Sequence, residues 1–148
     1  MNKILYVDMD NVLVNFQSGI DRLSPSIVSQ YEGKLDEVPG IFSLMDPIEE
    51  AIESYRKLSE KFDTYILSTS PWENATAASE KLAWVKHHLG QHAYKRLILS
   101  HHKHLNQGDF LIDDMVSGRG QEYFEGLKIQ FGSKEYLTWD IILKQFFI

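Results

Sequence analysis

The strongest constraint on this chain is a set of short apolar runs that each end abruptly in polar residues. Ile4-Leu5-Tyr6-Val7 meets Asp8, and Tyr65-Ile66-Leu67 meets Ser68-Thr69-Ser70. Leu97-Ile98-Leu99 meets Ser100, and Phe110-Leu111-Ile112 meets Asp113-Asp114. A fifth strand is predicted over Leu127 to Phe131. A strand without alternating polar positions must be covered on both faces, which is the habit of parallel sheets flanked by helices.

Helical patterns fall between these runs. Asp46-Pro47 reads as an N-cap followed by proline in the first turn, with Ile48, Ala51, Ile52, Tyr55 and Leu58 on one face. Ala75 to Leu89 predicts a helix that stops at Gly90 and buries Ala78, Leu82 and Val85. Thr138 to Phe146 predicts a last one. Alternating strands and helices imply an α/β, doubly wound, Rossmann-like parallel-sheet domain.

Residues 16–46 break this rhythm. Helices are expected near Gln17–Leu23 and Ser26–Tyr31, before Gly33, Pro39 and Gly40. The stretch is too long for an ordinary loop and reads as a small cap or a crossover. The expected organisation is one domain over residues 1–148, with a core of 1–15 and 47–148 and a small helical cap over about 16–46 after the first strand. At this length the core needs no disulfide or structural metal.

Composition narrows the partners. Fifteen Lys and Arg against twenty-one Asp and Glu give a net charge of −6. That argues against stable nucleic-acid binding, which wants a basic face. A small anionic substrate stays open, because one metal ion or lysine reverses the local sign. The absence of cysteine excludes a disulfide scaffold, a Cys-ligated zinc site and a thiol nucleophile. No apolar run approaches the roughly 20 residues of a membrane span. The N-terminal run is too short for a signal peptide and lacks a cleavage site. The expectation is a cytoplasmic protein without a membrane partner; a homodimer is compatible with it.

Chemistry concentrates at the carboxyl ends of the predicted strands, the edge where open α/β sheets bind ligands. Asp8-Met9-Asp10, Ser68-Thr69-Ser70, Lys103 and Asp113-Asp114 all belong there. Carboxylates two apart on an extended chain can face one way, hold a hard cation, and divide the roles of nucleophile and acid/base. Each cluster alone reads equally as a turn or a helix cap. Together, three or four acids repel strongly unless a cation joins them, and Mg²⁺ is the simplest one. Thr69 and Ser70 precede Pro71 and a helix, where hydroxyls and N–H groups can hold phosphate. Glu49-Glu50 and Asp36-Glu37 read as solvated faces, and His101-His102-Lys103-His104 as a solvated loop rather than a zinc site.

These residues, in this order, resemble the haloacid dehalogenase superfamily of phosphohydrolases. The stretches Asp8 to Leu13, Thr69-Ser70-Pro71, Trp84-Val85 with Leu89-Gly90, and Gly108 to Asp114 are similar to the 5′(3′)-deoxyribonucleotidase family. Gly40-Ile41-Phe42 before Asp46-Pro47-Ile48, and Phe131-Gly132-Ser133 leading to Trp139, fit as well. The resemblance implies a Mg²⁺-dependent phosphomonoesterase, with nucleoside monophosphates, deoxyribonucleotides first, as substrates. By position it implies that Asp8 is the nucleophile forming an aspartyl-phosphate and Asp10 the acid/base. Asp8, the backbone carbonyl of Asp10, and Asp113 would hold the metal, with Asp114 behind them. Thr69, Ser70 and Lys103 would bind phosphate.

The chain departs from that pattern in three places. Asn11 replaces the usual glycine, Asn15 stands where an aspartate is common, and the cap is short. Phe16 matches a base-pocket position, and Phe42 and Tyr31 are further candidates for stacking a base, or else core residues. The short cap keeps a phosphatase for another small phosphomonoester, such as a sugar phosphate, as the alternative. A receiver-like phospho-acceptor would order its acids differently and lack Asp10. A silent nucleotide-binding relative fits poorly with an intact motif set.

Overall fold

The computed structural model describes residues 2–147. In chain order the strands are β1 (Ile4–Val7), β2 (Val14–Asn15), β3 (Asp46–Pro47), β4 (Asp63–Ser68), β5 (Leu97–Leu99), β6 (Phe110–Asp113) and β7 (Leu127–Gln130). The helices are α1 (Phe16–Ile20), α2 (Pro25–Gln30), α3 (Ala51–Lys61), α4 (Ala77–His88) and α5 (Trp139–Phe147). The apolar runs form one parallel sheet in the order β5-β4-β1-β6-β7. β1 is central, so its continuation points into the middle of the sheet edge. The strand order reverses between β1 and β6, which opens a crevice there.

The two sheet faces are covered unequally. Leu5, Val7, Ile66, Ile112 and Ile129 lie on one face, in one buried cluster with Tyr55 and Leu58 of α3, Trp84 and Val85 of α4, and Trp139 and Ile142 of α5. The other face carries a small cluster of Tyr6, Leu67, Leu111 and Phe124, to which none of the described residues of α1–α5 contributes. Helices on both faces were the expectation from the apolar runs. Instead, Phe124 packs edge-on against Tyr6 at 6.1 Å, and the Arg96 guanidinium covers Tyr65 at 4.7 Å. Aromatic edges and a guanidinium plane can shield a sheet without a helix.

Two helix predictions shift. Asp46-Pro47 does not start a helix; it pairs antiparallel with Val14-Asn15, and α3 begins at Ala51 after Glu50 at φ 67°. The Asp46 carboxylate accepts from Arg22 at 2.7 Å, and its backbone N–H donates to Ser18 Oγ at 2.8 Å. Both groups that a helix cap would use are therefore engaged. In α4, Ala77, Lys81, Trp84 and Val85 are buried, whereas Ala78 is exposed and Leu82 is 44% exposed. The helix is turned by its polar partners rather than by its most apolar stripe.

Residues 16–45 rise from the β2–β3 ribbon as two short helices and two single-turn segments. This cap is tied to α4 and to the turn that leads into it. The Asn74 amide donates to Asp36 O at 2.9 Å and Val38 O at 3.1 Å. Gly40 N–H donates to Thr76 Oγ1, Phe42 N–H to Glu80 Oε1, and the Trp84 indole to Met45 O. No helix among the described residues is long and apolar enough to cross a membrane.

Candidate active site

The turn after β1 is built around one carbonyl. The N–H groups of Val12, Leu13 and Val14 all donate to Met9 O, and Asn11 N–H donates to Val14 O at 2.7 Å. Asn11 closes the turn at φ 62°, a left-handed conformation that asparagine adopts more readily than most residues. Asp8 thereby stays at the strand end, with its N–H bonded to Ile112 O of β6 at 2.9 Å. Asp113 ends β6 beside it, so the two acids flank the crevice where the strand order reverses.

Lys103 joins them. Its Nζ donates to Asp8 Oδ1 at 3.0 Å and Asp113 Oδ2 at 2.6 Å, and the side chain is 2% exposed. The chain reaches this point by a tight approach: Lys103 N–H donates to Arg119 O at 2.7 Å, beside Gly120 at φ 88°. A Cβ on Gly120 would lie 2.4 Å from His104 Nδ1 and 3.0 Å from Lys103 N, so the loop requires glycine there. Gln121, which sequence reasoning passed over, also serves Asp113: its amide donates to Oδ2 at 3.3 Å.

One carboxylate oxygen from each of Asp8, Asp113 and Asp114 lies within 4.8 Å of the other two. Three hard oxygen donors at this spacing fit a divalent cation. The charge balance supports the fit. Burial pushes the Asp8 carboxyl well above the usual range; Lys103 opposes that rise, and Asp113 and Asp10 add to it. Burial likewise raises Asp114. Burial alone would lower the Lys103 ammonium, but Asp8 and Asp113 more than offset it and hold it above its usual value. One ammonium does not neutralise two buried acids and a half-buried third; a dication would complete the balance.

Asp10 stands apart from this trio. Its Oδ2 accepts from Lys81 Nζ at 3.0 Å, and its Oδ1 is buried with no partner among the described residues. Lys81 is fully buried, donates also to Ser68 Oγ at 2.8 Å, and lies over the Phe42 ring at 4.5 Å. Sequence reasoning missed it. The available signal was a lysine four residues from Ala77 and three from Trp84, on the stripe that is in fact buried.

These groups open onto a cavity of about 350 Å³ lined by Asp8, Asp10, Thr69, Lys103, Asp113 and Asp114. The Thr69 hydroxyl donates to Ser100 O at 2.7 Å, which fixes its oxygen at the wall. Ser70 adjoins Thr69 in the chain but does not line the cavity. Asp36, Glu37 and His101, read from sequence as solvated, do line it, with Trp72, Glu73 and Arg119. Phe16, Tyr31 and Phe42 do not. Phe42 is 2% exposed and meets Phe16 edge-on at 6.0 Å, and Tyr31 is half-buried against the same core.

Sheet order and the acids at its central edge define a protein of the haloacid dehalogenase fold class. Solved structures agree at the level of fold. The candidate HAD-hydrolase YfnB of Bacillus subtilis, solved with magnesium bound, superposes with a TM-score of 0.68 at 13% identity, covering 99% of each chain. The haloacid dehalogenase-like protein SP0104 of Streptococcus pneumoniae gives 0.63 at 13% identity, covering 98% of each. The family model described as 5′ nucleotidase, deoxy (Pyrimidine), cytosolic type C protein matches residues 27–138. A candidate 5′(3′)-deoxyribonucleotidase of Vibrio phage KVP40 is 54% identical over 136 residues, spanning 92% of this chain and 79% of its own. The cytosolic-type 5′(3′)-deoxyribonucleotidase of Homo sapiens is 31% identical over 146 residues, spanning 78% and 72%. The chain belongs to this 5′(3′)-deoxyribonucleotidase family.

Proposed function

We propose that the protein is a divalent-metal-dependent phosphomonoesterase that hydrolyses nucleoside monophosphates, deoxyribonucleotides by preference. The observation that carries the reading is Lys103, buried between Asp8 and Asp113 at the crevice of the sheet. A phosphate dianion approaching Asp8 meets a carboxylate nucleophile, so positive charge must already be in place. Asp8, Asp113 and the backbone carbonyl of Asp10 would hold Mg²⁺, with Asp114 alongside. Bound there, the ion would neutralise phosphate oxygens and the acids around them.

The chain's own residues supply the rest. An Asp8 oxygen attacks phosphorus, and the bond to the ester oxygen breaks. Asp10 gives its proton to that oxygen, releasing the nucleoside as an alcohol. Asp10 then takes a proton from water as the water oxygen attacks the phosphorus of the aspartyl-phosphate. The Asp8–phosphorus bond breaks, and inorganic phosphate leaves. Oδ1 of Asp10, buried and without a partner among the described residues, is the oxygen available for both transfers. Lys103 and Thr69, which line the cavity, would hold the phosphate oxygens; Ser70, expected beside them, lies outside its lining.

The cavity wall favours monophosphates. Asp36, Glu37 and Glu73 face the same space, against one further cation, Arg119. A second or third phosphate would add charge beside those acids. The test is phosphate release from deoxy- and ribonucleoside monophosphates, their triphosphates and sugar phosphates, with Mg²⁺ and with Asp8→Asn as control. Preferential release from deoxynucleoside monophosphates supports the reading. Release from sugar phosphates alone would keep the chemistry and discard the nucleotide.

A further inference from the structure

We propose that Trp72 is the platform on which the substrate's base stacks, and so the residue that selects nucleotides over phosphomonoesters without an aromatic group. The proposal rests on the nucleotide reading above and names the part of the site that reads the base.

Trp72 is 84% exposed, more than any other large apolar side chain among the described residues. Such a ring carries the largest apolar surface of any side chain, and leaving it in water forgoes the gain from burying it. It is also not on a loose loop. Upstream, the Thr69 hydroxyl is bonded to Ser100 O at 2.7 Å. Downstream, Asn74 N–H donates to Pro71 O at 3.1 Å, and the buried Asn74 side chain is tied into the cap. Pro71 stiffens the step between them. The backbone is held while the ring stands free at the cavity mouth.

Its surroundings suit a flat ligand. Among the described residues the one aromatic contact of the Trp72 ring is with His101, at 5.9 Å and an interplanar angle of 75°. An edge contact of this kind supports a ring and leaves an indole face open. Among the residues lining the catalytic cavity, Trp72 is the only Phe, Tyr or Trp. The cap aromatics that could compete are packed away behind Lys81 and the core. The cap that carries them is pinned to the turn before α4 at Asp36, Val38 and Gly40 and to α4 itself at Phe42 and Met45, so it does not present them by a simple hinge. A monoester held at Asp8 and Lys103 projects its leaving group through the mouth that Trp72 borders.

Two measurements test this. The first is the ratio of kcat/KM for deoxynucleoside monophosphates to that for ribose 5-phosphate, in the wild type, Trp72→Ala and Trp72→Phe. Stacking on an aromatic ring predicts a fall in that ratio of about 10- to 100-fold in the alanine variant, mainly through KM, and recovery of most of it in the phenylalanine variant. An unchanged ratio, or an equal loss on both substrates, overturns the proposal. The second is quenching of tryptophan fluorescence by a free deoxynucleoside, which carries the base without phosphate. Trp84 and Trp139 are buried, so the quenching should vanish in Trp72→Phe. Quenching that survives that change overturns the proposal too. A wild type that treats both substrates alike overturns the nucleotide reading itself; a preference for nucleotides as strong in Trp72→Ala as in the wild type overturns only this inference.

Discussion

Lys81 Nζ lies 3.0 Å from Asp10 Oδ2, across 71 residues of sequence, in a side chain with no solvent exposure. The same ammonium holds Ser68 Oγ at the end of β4 and sits over the Phe42 ring of the cap. Three separate parts of the chain therefore meet at one buried charge. The effect is to restrain Asp10 by one oxygen and leave the other without a hydrogen-bond partner among the described residues. Because the ring of Phe42 packs on that charge, the cap and the acid/base residue share one contact.

Replacing Lys81 by methionine keeps the stem and removes the charge. Asp10 Oδ2 and Ser68 Oγ then lose their donor, which costs about 1–3 kcal/mol of stability. Turnover should fall through kcat by roughly 10²-fold or more, while KM changes little, since Lys81 does not line the cavity. Urea unfolding and steady-state kinetics on the same preparation measure both. In the double variant with Asp10→Ala the stability cost should shrink, because the stranded carboxylate is gone. A raised KM with kcat intact would mean that Lys81 binds substrate instead.

Asp8→Asn separates chemistry from folding. The buried carboxylate is pushed toward its neutral form by desolvation and by Asp113 and Asp10. An amide of the same shape removes that repulsion and still leaves Lys103 paired to Asp113 at 2.6 Å. Activity should drop by at least about 10³-fold, as expected when a nucleophile is lost. The metal-free protein should meanwhile unfold at an equal or higher temperature. Strong destabilisation of the variant would show that Asp8 serves the fold rather than straining it.

The framework was legible in the sequence because parallel strands advertise themselves. Val7 ends in Asp8 and Ile112 in Asp113, and their adjacency follows once both runs are placed in one sheet. Asn11, which departs from the family's usual glycine, takes a left-handed conformation in the turn. What was hidden is whatever long-range polar contacts decide. Leu82 is more hydrophobic than Lys81, so periodicity turns α4 the wrong way; only the partners Asp10 and Ser68 reverse it. Asp46-Pro47 has every local mark of a helix start, and loses to a two-residue ribbon held by Arg22 and Ser18. The stacking candidates Phe16, Tyr31 and Phe42 could not be told from core by composition, and the cavity excludes them.

Metal removal should act on stability with a defined pH dependence. Burial raises the Asp8 and Asp114 carboxyls above their unfolded values, so ionising them opposes folding. The metal-free protein therefore gains from these two groups as pH falls through their folded pKa values. The raised pKa of Lys103 adds stability that persists below its unfolded value and is lost only in strong alkali, outside this window. A divalent cation needs the ionised oxygens, so protons compete with it. Mg²⁺ should raise the unfolding temperature more at pH 7.5 than at pH 5.5, and EDTA should abolish both the shift and turnover. A shift that is equal at the two pH values would remove the cation from these carboxylates.

The tie between cap and core can be cut at one residue. Asn74 is buried, donates to the carbonyls of Asp36 and Val38, and accepts from Thr76 N–H at 3.2 Å and the Thr76 hydroxyl at 3.0 Å. Asn74→Ala strands two cap carbonyls and frees Thr76, which itself receives Gly40 N–H. The loss should be about 1–3 kcal/mol in global stability. It should also appear locally, as faster amide hydrogen exchange over residues 36–45 than over the central strands β1 and β6. Because Asp36 and Glu37 line the cavity, the loosened cap should admit bulkier or more highly charged esters, and the discrimination against triphosphates should weaken. Exchange that quickens evenly across the whole chain would mean that Asn74 supports the core as a unit, and that the cap has no separate hold on selectivity.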